Sequence, residues 1–152
     1  MFKWLHKSAP HRGALKPRGP VSELGVPRGD GDAIKWFRKA AEKGTSWGQY
    51  NLGLRYAQGD GIPQDYAEAM KWFQQGAEHN DGMSQYQLGK IFEKGLGVTV
   101  DLATAYKWYS LAASQGIREA DNACHHLQTE LTPEQIAAGH AHRLWPLPKK
   151  PA

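Results

Sequence analysis

The sequence predicts an all-α solenoid: helix–turn–helix units of about 36 residues stacked on one another and closed by a final capping helix. Three observations predict it. Trp36, Trp72 and Trp108 stand 36 residues apart in the matching settings AIKWF, AMKWF and AYKWY. The same offset superposes Ala33, Ala69 and Ala105, Gln49-Tyr50 and Gln85-Tyr86, Leu52-Gly53 and Leu88-Gly89, Gly59 and Gly95, and Asp65 and Asp101. Within each unit the apolar residues recur at three- and four-residue intervals, the spacing of a helix face rather than of a strand. Self-similarity at periods of 20 to 50 residues marks repeats whose apolar faces are hidden only by neighbouring copies.

Residues 1–24 form a leader with Pro10, Pro17, Pro20, Gly13 and Gly19, which interrupt any helix every few residues; this stretch is expected to be mostly disordered. Its apolar residues Phe2, Trp4 and Leu5 are broken by Lys3, so no secretory h-region is present. The repeated domain is expected over 25–145, because Gly25-Val26-Pro27 falls 36 residues before Gly61-Ile62-Pro63. The array therefore begins mid-unit, with a B helix at 32–43 and no A helix before it.

The first A helix is expected at 46–58 and the second at 82–94. Tyr50, Leu52 and Tyr56 in one, and Tyr86, Leu88, Ile91 and Phe92 in the other, share a face, and Gly59 or Gly95 supplies a left-handed stop. B helices are expected at 65–79 and 101–115, each opened by an Asp able to cap it. Along them Ala69, Trp72, Phe73, Gly76 and Ala77, then Ala105, Trp108, Tyr109, Ala112 and Ala113, set large against small on one stripe. A last A helix is expected at 118–130. The capping helix begins at Thr132-Pro133-Glu134-Gln135, with Thr132 and Gln135 as a capping box and Pro133 in the first turn. Its inward face is expected to be Ile136, Ala137, His140, Leu144 and Trp145, with His142 and Arg143 outward. Residues 146–152, rich in Pro and Lys, read as an extended tail.

Composition narrows the function classes. The chain has 152 residues, 40% hydrophobic and 22% charged, with six Trp and one Cys. That is a folding composition with no span of about 20 apolar residues and no disulfide framework or four-Cys zinc site. The net charge of +4 belongs to the first 30 residues, where Lys3, Lys7, Arg12, Lys16, Arg18 and Arg28 face only Glu23 and Asp30. The remaining residues balance, so a basic nucleic-acid-binding fold is disfavoured. With neither a signal peptide nor a spanning segment, a cytoplasmic location is expected.

The strings A-x-K-W-F-x-x-A-A-E-x-G and Q-Y-x-L-G-x-x-Y-x-x-G-x-G-I/V-x-x-D closely resemble the Sel-one-like repeat family, relatives of the tetratricopeptide proteins. The resemblance covers residues 25 to about 145, and the LTPEQ helix looks like the way such arrays end. It implies a right-handed α/α superhelix acting as a protein–protein adaptor or scaffold, without cofactor or active site. Members with disulfides carry paired cysteines in each repeat; Cys124 alone departs from that branch and from its β-lactam binding.

The remaining motifs favour structural readings. Cys124-His125-His126 and His140-Ala141-His142 place their side chains at i, i+1 and i, i+2, whereas helical zinc sites use i, i+3 or i+4, so no metal site is expected. Cys124 falls at the register of Leu52 and Leu88, and His125 at that of Gly53 and Gly89. The Gly59-Asp60-Gly61 and Gly95-Leu96-Gly97 turns are helix stops, not phosphate loops, since no strand precedes them. No catalytic constellation is expected.

Binding specificity in such an array belongs to positions that vary between units. On the A helices these are Trp47/Met83/Glu119, Asn51/Gln87/Ala123, Leu54/Lys90/His126 and Arg55/Ile91/Leu127. The expected partner-binding residues are Trp47, Asn51, Leu54, Arg55, Met83, Gln87 and Lys90, on the concave helix A face, meeting a protein or peptide of unknown identity. A competing role for Trp47 is to cover the neighbouring B helix. The alternative function is a weak membrane-surface or nucleic-acid tether through the basic leader. The uncovered first helix also predicts self-association.

Overall fold

The computed structural model describes residues 30–141. Within them lie seven helices and no strand: α1 (Asp30–Glu42), α2 (Ser46–Gln58), α3 (Tyr66–Glu78), α4 (Gly82–Lys94), α5 (Leu102–Ser114), α6 (Arg118–Leu127) and α7 (Pro133–Ala141). Each packs on its successor along the chain as far as α6, while α7 folds back onto α5. The all-α stack read from the 36-residue period is therefore the observed architecture. The expectations for the leader and the tail lie outside the described residues.

Local chemistry sets the boundaries. Gly59 and Gly95 end α2 and α4 in the left-handed conformation at φ 69°, and their N–H groups donate to the carbonyls of Arg55 and Ile91. The side chains of Asp65 and Asp101 accept from backbone N–H groups of Glu68 and Thr104, opening α3 and α5. The Thr132 and Gln135 capping box forms with both reciprocal bonds, at 2.9 and 3.2 Å. The last A helix is shorter than expected, ending at Leu127 rather than 130: Thr129 and Glu130 donate only three residues back, to His126 and Leu127, a tightened turn that closes the helix.

Two of the three core clusters among the described residues repeat one arrangement. Trp72 of α3 is buried with Ile34 and Ala41 of α1 and Leu52 of α2. Trp108 of α5 is buried with Ala69, Phe73 and Ala77 of α3 and Leu88 and Ile91 of α4. The B-helix tryptophan thus wedges between the preceding B helix and the A helix of its own unit. The next aromatic, Phe73 or Tyr109, lies on the glycine of the same A helix; a Cβ at Gly53 would stand 2.6 Å from the Phe73 ring and one at Gly89 2.5 Å from the Tyr109 ring. Glycine is required there because the aromatic occupies the side-chain volume.

Gln49 and Gln85, equivalent in the repeat and both buried, donate to the carbonyls of Ala41 and Ala77 at 3.4 and 3.3 Å. These carbonyls lie near the C-terminal ends of α1 and α3 and also accept from the backbone N–H groups of Gly44 and Asn80, so the repeated side-chain amide adds a second bond that ties each A helix to the B helix before it. The final helix packs differently from expectation. Gly139 is its buried residue and Ile136 is half-buried, while Ala137 is exposed, because the Tyr106 ring stands close to Gly139 and selects that side of α7. His140 is exposed but bonded, its Nε2 lying 2.7 Å from the Tyr106 hydroxyl, which also accepts from Gln128 Nε2 at 2.9 Å. Leu144, Trp145, His142 and Arg143 lie outside the described residues.

Candidate partner-binding face

The A helices each bury one side and leave one stripe outward. On α2, Gly48, Gln49, Leu52 and Gly53 are buried, while Trp47, Asn51, Leu54 and Gln58, at i, i+4, i+7 and i+11, are exposed or half-buried. On α4 the matching stripe is Met83, Gln87 and Lys90, and on α6 it is Glu119, Ala123 and His126. Six of the seven residues expected from the sequence fall on these stripes. Arg55 does not: its column continues as Ile91 and Leu127, both buried. Arg55 instead forms an ion pair with Asp60 at 3.0 Å and lies over the Phe37 ring, 5.5 Å from its centroid.

Trp47 fulfils its packing role and keeps an open face. Its ring meets Trp36 and Phe37 of α1 edge-on, with centroids at 5.1 and 5.3 Å, yet half of its surface stays accessible. Asn51 donates to the Trp47 carbonyl at 2.9 Å, a bond within its own helix. Met83 is 37% exposed.

The C-terminal halves of α2 and α4 enclose a groove of about 170 Å³. Leu54, Phe73, Ile91 and Leu96 give it apolar walls, and Gln58, Gln87 and Lys90 a polar rim. The groove thus gathers Leu54, Gln87 and Lys90 from the expected set and leaves Trp47, Asn51, Arg55 and Met83 outside. Gln58, Tyr66 and Leu96 line it unforeseen. Gln58 was findable: it varies at the 36-residue offset, aligning with Lys94 and Glu130, and it sits one turn beyond Leu54. A second groove, about 200 Å³, lies between α5 and α7 beside Thr104, Lys107 and Gln135. Burial pushes the Lys107 ammonium below its usual pKa, with Asp101 partly opposing.

The cysteine and histidines take structural places. Cys124 is buried among Ala105, Tyr109 and Ala120 at the register of Leu52 and Leu88. His125 is exposed, its Nδ1 lying 2.9 Å from the Asp121 carbonyl. Among the described residues no group of three His, Cys, Asp or Glu side chains comes close enough to hold a metal ion. Nor is any helix there long and apolar enough to cross a membrane.

A family model described as Sel1 repeat matches residues 22–45, 48–81 and 82–117, well over half of the chain. The chain belongs to the Sel1 repeat family. Two solved structures agree. One is a protective antigen present in uropathogenic Escherichia coli strains, displaying an SLR fold: 31% identity, TM-score 0.72, covering 81% of this chain and 27% of that one. The other is a Sel1 repeat protein from Oxalobacter formigenes, with 36% identity and TM-score 0.62, covering 70% of this chain and 80% of that one. This chain thus spans about a quarter of the antigen's length. No curated protein matches it. Sel1 repeat proteins are generally protein–protein interaction adaptors and typically non-catalytic.

Proposed function

We propose that this Sel1 repeat chain is a non-catalytic adaptor that captures a segment of another protein on the outward stripes of α2 and α4. The observation that carries it is a division of labour along one helix. Ala69 and Ala105, Trp72 and Trp108, Leu52 and Leu88, and Gly53 and Gly89, which recur every 36 residues, are buried in the stack, whereas Trp47, Leu54, Met83, Gln87 and Lys90, which vary, are exposed or half-buried. Variable side chains on a rigid repeated frame are how solenoids set specificity. Trp and Met add adaptable apolar area, with Lys90 as a polar anchor.

The test is affinity purification on the immobilised full chain, with retained proteins identified by mass spectrometry. Trp47→Ala combined with Met83→Ala should lose the specific partner while far-UV circular dichroism stays helical; an unchanged partner list removes this face from consideration. Deleting residues 1–24 should leave capture intact. Retention on anionic liposomes or nucleic acid that disappears with that deletion would favour the tether instead.

A second reading rests on Trp36 and Trp47, 37% and 50% exposed side by side at the α1 end. Two copies meeting there would cover both rings. Light scattering should then show a mass that rises with concentration and falls back with Trp36→Glu; a constant monomer mass at every concentration removes the reading.

A further inference from the structure

We propose that the groove between α2 and α4 receives a large apolar side chain from an internal segment of the partner protein, and that Lys90 holds an acidic side chain immediately beside it. This rests on the adaptor reading above and specifies its ligand. The size of the space comes first. At about 170 Å³, with Leu54, Phe73, Ile91 and Leu96 on one side and Gln58, Gln87 and Lys90 on the other, the groove has room for a leucine- or phenylalanine-sized group, a volume of about 150 Å³ being enough to hold benzene.

Charge selects the neighbour. Lys90 is the charged residue of the groove's lining, and no acidic residue lines it. Its ammonium lies 5.4 Å from the Tyr86 ring centroid and has no carboxylate partner among the described residues. Glu93, close by on the same helix, is engaged elsewhere, accepting from the Tyr109 hydroxyl. Lys90, half-buried in the wall of a groove of mixed polar and apolar lining and with no carboxylate partner among the described residues, complements a carboxylate and repels a basic ligand. Because Lys90 is itself part of that small wall, the proposed carboxylate is placed on the anchoring residue's immediate neighbour.

The stripe also argues for an internal segment rather than a chain end. Met83 lies seven residues before Lys90 on the same face of α4, about 10 Å along the axis at about 1.5 Å per residue. An extended ligand crosses that distance in about three residues, so in the proposed mode a short internal segment anchored in the groove reaches Met83, which a chain ending in the groove need not do.

Panning a phage-displayed random peptide library on the full chain tests this, with enriched sequences remade as peptides acetylated and amidated at their ends. Enrichment of a large aliphatic or aromatic residue next to Asp or Glu is expected. Binding of the blocked peptides should fall about tenfold with Lys90→Glu, where one attraction becomes a repulsion, and less with Lys90→Met. Lys71→Glu, on the exposed face of α3, should leave it unchanged. Added salt should weaken binding to wild type more than to Lys90→Met.

Unchanged circular dichroism of Lys90→Glu would show that the stack is intact. Enriched peptides without a shared acid, or indifferent to Lys90→Glu but lost with Met83→Ala, overturn the groove proposal and leave the adaptor reading standing. Peptides that bind only with a free carboxyl terminus overturn the internal segment. Enrichment no greater than on an unrelated helical protein overturns both readings.

Discussion

Trp36 and Trp108 occupy the same register of the same motif and live in different surroundings. Trp108 is 6% exposed, wedged between the B helix before it and the A helix of its own unit; Trp72, between α1 and α2, is 9% exposed. For Trp36 neither partner helix lies among the described residues, and 37% of its surface is open, with Phe37 and Trp47 as its ring contacts. Identical sequence therefore does not carry identical stability in a stack: the motif supplies a wedge, and its energy depends on a neighbouring slot. Trp108→Ala should cost about 3–5 kcal/mol, the range for large core truncations, and the more open Trp36→Ala less, about 1–2 kcal/mol. Urea titrations followed by circular dichroism would measure both. Equal losses would mean that the wedge arrangement does not set the stability.

The same contrast holds one residue further along each helix. Gly53 and Gly89 admit the Phe73 and Tyr109 rings, and any Cβ there collides with aromatic atoms that are fully packed. At the third register stands His125, exposed, because no aromatic of a following B helix lies over it. Gly89→Ala should therefore destabilise by about 1–3 kcal/mol from overpacking, although alanine is the better helix former. His125→Gly should also destabilise, but only through the lower helix propensity of glycine, by less than about 1 kcal/mol. Thermal unfolding of the two variants decides the matter: a Gly89→Ala protein as stable as wild type would deny that the ring fills the glycine's side-chain volume.

Most of the fold was legible because the packing positions repeat and the repeat can be read by eye. Asp65, Gly59 and the tryptophans each fix a boundary or a buried face by their own chemistry, and the expected helices match the observed ones to within a few residues. The misses come from places without a second copy to compare. Nothing in the sequence marks the tightened turn at Thr129 and Glu130, and the inward side of α7 is chosen by Tyr106, which meets Gly139 rather than Ala137. The candidate site was half legible for a related reason. A fixed offset shows which columns vary, so Leu54, Gln87 and Lys90 were found. It does not show how columns of successive helices converge, so Tyr66 and Leu96 were not. Arg55 varies like the others yet points along a packing column, because Phe37 and Asp60 draw it there.

The smallest difference expected is between two helix starts. Asp101 opens α5 with its carboxylate accepting from the Thr104 N–H and hydroxyl, and those bonds, the backbone one foremost, hold its pKa below the usual 3.8. A carboxyl group with a lowered folded-state pKa stabilises fully above its unfolded value and loses that contribution as the pH falls through the folded one. Asp101→Ala should therefore cost about 1 kcal/mol at neutral pH, the usual value of an N-cap, and its deficit against wild type should shrink as the pH drops below 3.8. Ile117 opens α6 without any side-chain hydrogen bond, and packs instead against the cluster that holds Tyr109 and Cys124. Ile117→Asp would gain a cap of about 1 kcal/mol and lose a similar amount of partly buried apolar contact, so its net effect at neutral pH should stay within about 0.5 kcal/mol of zero. A clear gain in chemical denaturation would mean that Ile117 contributes little packing; a clear loss would mean that apolar contact outweighs capping where the array ends.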